Sequence, residues 1–149
     1  MMNIIRTNSE NKDFIQLVEA LDAYLKMTDG DEHAFYNQFN SISVLNHVVV
    51  AYIDGTAVGC GAFKPFDNSS VEIKRMYTTP QTRGMGVASE ILKSLELWAS
   101  ELGYASCVLE TGIRQKEAVQ FYKKNNYKSI EKYGQYVNMD NSVCFKKEL

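Results

Sequence analysis

The sequence predicts a mixed α/β domain, and two patterns carry that reading. Ala88, Ile91, Leu92, Leu95, Trp98, Ala99 and Leu102 repeat at helical spacing between two strand-like runs, 71–78 and 104–110. Apolar residues at three- and four-residue intervals make one buried helix face. Two further apolar runs, His47–Ile53 and 56–66, flank the pair Asp54-Gly55. Asp-Gly accepts the positive φ of a tight turn, so this is a β-hairpin. The strand–helix–strand unit from 71 to 110 calls for parallel strands joined by a right-handed crossover.

The remaining elements follow in order. Phe14, Leu17, Val18, Leu21, Tyr24 and Leu25 have helical spacing over about 10–27, and Asp29-Gly30 stops them. A shorter helix is expected over 31–39. Strand 71–78 is expected to place Val71, Ile73, Arg75 and Tyr77 on one face, with Glu72, Lys74, Met76 and Thr78 on the other. Pro80 ends it, and Gly103 caps the long helix that follows. Residues 116–124 form an amphipathic helix closed by Asn125-Asn126, and strands at 127–130 and 143–146 complete the chain. The predicted order is α, α, β, β, β, α, β, α, β, β.

With 149 residues the chain is sized for one domain. At 45% hydrophobic and 11% aromatic residues, it has the apolar surface to offset chain entropy. No apolar run approaches the roughly 18 residues of a membrane helix. The first eleven residues lack a signal core, so a cytoplasmic protein is expected.

Net charge is -2, which argues against general nucleic-acid or membrane-surface binding. The average hides a split. Residues 1–70 hold 4 basic and 9 acidic residues, net -5, and residues 71–149 hold 12 and 9, net +3. An anionic ligand belongs to the second half. Cys60, Cys107 and Cys144 are odd in number and lie in apolar stretches, so they read as buried free thiols. No cysteine pair has metal-ligand spacing and His33 and His47 are isolated, so no metal is expected.

Thr79-Pro80-Gln81-Thr82-Arg83-Gly84-Met85-Gly86-Val87-Ala88 lies between a strand and the long helix. Its glycines let the backbone approach a bound group, and the helix start offers unpaired N–H groups and positive dipole charge. Phosphate is the physical expectation. The ATP-binding P-loop fails because no lysine follows Gly86, and the dinucleotide fingerprint fails because Ser89 stands where its third glycine belongs.

The pattern Arg/Gln-x-x-Gly-x-Gly/Ala is met by Arg83, Gly86 and Ala88, and at this point the chain resembles the GNAT acetyltransferase superfamily. The resemblance extends in order over about residues 47–149. Val71-Glu72-Ile73-Lys74-Arg75-Met76-Tyr77-Thr78 is similar to the strand before the loop in many bacterial members. Val108-Leu109-Glu110-Thr111-Gly112 is similar to the next strand. Glu117-Ala118-Val119-Gln120-Phe121-Tyr122 is similar to the Ala-x-x-x-Tyr helix, and Tyr133-Gly134-Gln135-Tyr136 to the ending of small bacterial members.

The resemblance implies a mostly antiparallel twisted sheet with a splayed parallel strand pair and helices on both faces. It implies one catalytic domain, with residues 1–46 as a variable substrate lid and 47–149 as the acetyl-CoA-binding core. Acetyl-CoA is the implied co-substrate. Met76, Tyr77 and Thr78 would pair with its pantetheine arm, and the backbone of Arg83, Gly84, Met85, Gly86, Val87 and Ala88 would cradle its pyrophosphate. Gln115 stands where an asparagine usually contacts the cofactor.

The implied chemistry is direct attack of an amine on the thioester, without an acyl-enzyme intermediate. A lysine-like amine is neutral in only about 4 molecules in 10,000 at pH 7, so a base must take its proton. Glu72 is the candidate base. Tyr122 is the candidate acid for the departing thiolate. The expected acceptor is a primary amine on a small or amino-acid-like molecule, which an acidic lid suits. A protein or peptide acceptor, or a non-catalytic acyl-CoA sensor, is the alternative. A homodimer is compatible with the resemblance. Cys107 has no histidine near it in sequence, and an acyl-cysteine route is rejected.

Overall fold

In the computed structural model residues 1–29 and 45–149 are described. The helix expected at 31–39 lies outside the described residues, as do Asp31 and Glu32 of the expected lid. The described elements are β1 (Met2–Thr7), α1 (Lys12–Asp29), β2 (His47–Ile53), β3 (Thr56–Pro65), β4 (Ser70–Thr78), α2 (Val87–Glu101), β5 (Ser106–Gly112), α3 (Lys116–Lys124), β6 (Lys128–Ile130) and β7 (Ser142–Glu148).

The seven strands form one sheet in the order β1-β2-β3-β4-β5-β7-β6. The β4–β5 pair is parallel and every other pairing is antiparallel. This is the expected mixed fold with one addition. β1 is absent from the sequence reading, and its whole length pairs with residues 48–53 of β2 as an edge strand.

Alternation along β2 shows how the sheet separates two cores. Val49 and Ala51 pack into the cluster built with Ile91, Leu92 and Leu95 of α2. Val48 and Val50 pack on Phe14, Leu17 and Val18 of α1. Helices thus cover both faces, α1 on one and α2 with α3 on the other. α1 begins where Asn11 caps it, its Oδ1 accepting the Phe14 N–H at 2.9 Å. The Asp54-Gly55 turn adopts positive φ at both residues, as the hairpin requires.

The expected alternation of β4 breaks at Arg75. Arg75 has φ 59°, and the pairing with β3 jumps from Ala62↔Lys74 to Cys60↔Tyr77. Two β4 residues therefore oppose Gly61, which defines a β-bulge. Beyond it Met76 packs with Val71 and Ile73, while Tyr77 packs on the α1 side. Arg75 also points to α1, where it meets Asp22. The strict two-residue period assigned Arg75, Met76, Tyr77 and Thr78 to the wrong faces.

Candidate active site

β4 and β5 are paired only from Ser70↔Ser106 to Glu72↔Val108. The closed end of this pair is clamped by a 2.6 Å hydrogen bond between the buried Ser70 and Ser106 hydroxyls. Past Glu72 the strands part: β4 continues against β3 and β5 against β7. The gap becomes a cleft of about 640 Å³ walled by both strands, the 82–89 loop and helix start, α3 and one side of α1.

The loop after β4 is a single 3-10 turn, Pro80–Thr82, tied to β3 by Thr79 N–H donating to Val58 O at 2.8 Å. Gly84 and Gly86 have φ 81° and 79°, a region glycine enters without steric cost. A Cβ at either would meet no atom within 4 Å, so the space beside them is open. The Arg83 N–H donates to Pro80 O and the Met85 N–H to Thr82 O, so both are committed within the turn. Two of the six amides expected to face a ligand over 83–88 thus have backbone acceptors already. Among the described residues, no backbone acceptor meets the N–H groups of Gly84, Gly86, Val87 or Ala88. Uncommitted amides at the start of a 15-residue helix present partial positive charge to an anion.

The structure brings Glu72, Met76, Tyr77, Thr78, Arg83, Gly84, Gly86, Val87, Ala88, Gln115 and Tyr122 to the walls of one cleft. Met85 does not line it and is 55% exposed. Arg83 stands at the mouth, its Nη1 3.6 Å from Oε2 of Glu117 on α3. Gln115 turns its amide to Thr28 Oγ1 of α1 rather than leaving it for a ligand.

Glu72 is buried and held from three directions. Tyr133 Oη donates to its Oε2 at 2.7 Å, and Lys74 and Lys64 ammoniums lie 3.5 and 3.9 Å from its Oε1. Burial lowers the Lys74 pKa below the usual lysine value, with the Glu72 charge opposing. Burial, reinforced by Glu72, raises the Tyr133 phenol well above the ordinary tyrosine range. Tyr122 is likewise raised, by burial first and then by Glu110. Its proton is therefore retained at neutral pH.

Glu110, Lys74 and Tyr136 also face the cleft, and none was among the sequence-predicted site residues. An acidic residue near the end of an otherwise apolar strand was the available signal for Glu110. Cys107 belongs to the core on the α2 side, where burial pushes its thiol up to about 12. Among the described residues no group of three His, Cys, Asp or Glu side chains comes together at metal-binding distance.

A family model described as an acetyltransferase (GNAT) domain matches residues 45–129. The chain belongs to the GNAT acetyltransferase family. An IAA acetyltransferase of Azospirillum brasilense is 31% identical over 141 residues, covering 91% of this chain and 90% of that protein. A solved Klebsiella pneumoniae structure assigned to the acyl-CoA N-acyltransferases is 29% identical. It superposes with a TM-score of 0.84 over 100% of this GNAT chain and 98% of the other. The PaiA N-acetyltransferase of Thermoplasma acidophilum, solved with coenzyme A, shares the fold at 18% identity and a TM-score of 0.74, covering 100% and 99% of the two chains. Membership makes this an acetyl-CoA-dependent acyltransferase, with acetyl-CoA as co-substrate.

Proposed function

We propose that the protein transfers the acetyl group of acetyl-CoA directly to a primary amine of a small, amino-acid-like acceptor. The observation that carries this reading is the wedge between β4 and β5, with Glu72 and Tyr122 on its walls and uncommitted loop amides at its mouth. Residues 47–149 act as the acetyl-CoA-binding core, and residues 1–46 contribute the acceptor side through α1. The inner cleft is lined by the carboxylates Glu72 and Glu110 and the Lys74 ammonium, a charged surface that suits a polar acceptor.

The amides of Gly84, Gly86, Val87 and Ala88 bind the pyrophosphate, and Arg83 adds its charge at the rim. The backbone at Met76, Tyr77 and Thr78 aligns the pantetheine arm and polarises the acetyl carbonyl. Gln115 supports this wall through Thr28. Glu72, directly or through water, accepts the proton of the amine as its nitrogen bonds to the carbonyl carbon. The C–S bond then breaks, and the Tyr122 hydroxyl gives the departing sulfur a proton, to be regained from solvent. A positioned base is typically worth roughly 100- to 10,000-fold. The reaction is assigned to the cytoplasm, where acetyl-CoA is available. Among the described residues no helix is long and apolar enough to cross a membrane.

The test is release of free thiol from acetyl-CoA across amines, amino acids and peptides. Turnover with small amines, and none with peptides, is expected. Binding without turnover on any acceptor would move the protein to the sensor reading. Absence of any thermal stabilisation by acetyl-CoA would refute the cofactor site, because a ligand of the folded state must raise its stability.

A further inference from the structure

Arg75 occupies the left-handed region, which is sterically unfavourable for a non-glycine residue. Such a conformation persists only where its surroundings hold it. Two contacts do so, one on its side chain and one on its backbone. Arg75 Nη2 lies 2.6 Å from Oδ1 of Asp22 on α1, with the arginine side chain 2% exposed. From β3, the buried Cys60 thiol donates to the Arg75 carbonyl oxygen at 3.4 Å.

The bulge so held consists of Arg75 and Met76, and it exchanges the faces that Met76 and Tyr77 would take by strict alternation from Ile73. Asp22 belongs to the same α1 stretch whose Leu21, Tyr24 and Leu25 wall the cleft. The far end of α1 is tied to the opposite wall, where Arg114 Nη1 donates to Thr28 O at 3.3 Å beside the Gln115 contact. A charge-assisted bond to a buried guanidinium is strong and directional, and removing one partner leaves an uncompensated buried charge.

We infer that Asp22 is a positioning residue for acetyl transfer. Through its ion pair with Arg75 it holds the β4 bulge so that the backbone at Met76 and Tyr77 is aimed at the thioester carbonyl. The same pair links that aim to the helix forming the acceptor wall. This rests on the acetyl-CoA reading above and adds a residue that itself touches neither cofactor nor reacting atoms.

The carbonyl resonance of acetyl-CoA labelled with carbon-13 at that carbon reports the aim directly, with no acceptor required. Bound to the wild-type protein, the resonance is expected to move from its free position. Asp22→Asn should lose most of that displacement while CoA affinity by calorimetry stays within about twofold. Should Asp22→Asn fail to fold, the double variant Asp22→Asn/Arg75→Gln decides, since it removes both charges together. A folded variant with the wild-type displacement overturns the inference, even if its melting temperature falls, because the pair is then only structural. An unshifted carbonyl in wild-type-bound acetyl-CoA overturns it as well. Wild-type protein that binds neither acetyl-CoA nor CoA instead refutes the underlying cofactor reading, and this inference with it.

Discussion

Tyr133 donates its hydroxyl to Glu72 at 2.7 Å across 61 residues of sequence, from the segment before β7 to the closed end of the β4–β5 wedge. The bond fixes one carboxylate oxygen, and Lys74 and Lys64 flank the other. Glu72→Gln keeps the shape and removes the proposed base. Turnover should fall roughly 100- to 10,000-fold with acetyl-CoA affinity unchanged. Tyr133→Phe leaves the carboxylate one donor short and should cost about 1–3 kcal/mol in chemical denaturation. An unchanged rate in Glu72→Gln would remove Glu72 from the mechanism.

Tyr122→Phe separates packing from chemistry. The ring sits among Phe121, Tyr127 and Phe145, and phenylalanine preserves those contacts. Stability should hold to within about 1 kcal/mol while thiol release slows by roughly 100-fold or more. Equal rates for the two proteins would remove the hydroxyl from the reaction.

Buried acids make the fold sensitive to alkali. Cys60 and Cys107 are pushed up to about 12 by burial, and Tyr122, Tyr127 and Tyr133 are raised beyond the usual phenol range for the same first reason. In the unfolded chain these groups ionise near 9.0 and 10.0. Their raised folded values favour the neutral native form, so the stability they contribute is complete below pH 9. It declines as the unfolded chain begins to lose protons above that. Lys74, with a lowered pKa, acts in the opposite sense but is one group against several. Melting temperatures across pH 8 to 11 should show a progressive loss above about pH 9.

Gly61 lies opposite the β4 bulge, where a Cβ would come within 2.6 Å of Met76 Sδ and 2.8 Å of Leu95 Cδ1. Gly61→Ala should destabilise by about 1–3 kcal/mol through overpacking. Because Met76 walls the cleft, acetyl-CoA should also bind more weakly. Denaturant melts and calorimetry read the two effects separately.

Arg83 and Glu117 form an exposed pair at the cleft mouth, 54% and 87% exposed, so the pair adds about 0–1 kcal/mol to stability at most. Its effect should appear in binding. Arg83→Ala should weaken CoA by about tenfold at low salt, and Glu117→Gln should tighten it slightly by freeing the guanidinium. Both differences should shrink as salt is raised.

Local patterns made much of this fold legible. The hairpin and the helix at Lys116–Lys124 emerge where their apolar spacing places them, because turn chemistry and helical periodicity are properties of neighbouring residues. β1 escaped because Met2–Thr7 is a short edge strand with mixed burial, and its definition comes from pairing with β2 rather than from its own side chains. The bulge escaped because a period of two carries no mark of the residue that breaks it. Glu110 and the Asp22–Arg75 and Gln115–Thr28 contacts join distant segments, the last two separated by 53 and 87 positions. Resemblance named residues that line one cleft. It carried no information about which side chains reach across from α1.

The three thiols of the chain are all buried, and their ionisation is suppressed. Disulfide-exchange reagents react with thiolates, so the native protein is nearly silent to them at neutral pH. CoA released during turnover is then the thiol such a reagent detects, and the reaction can be followed continuously without blocking the protein's own cysteines. The same silence makes any slow appearance of protein thiol a direct readout of the molecule opening.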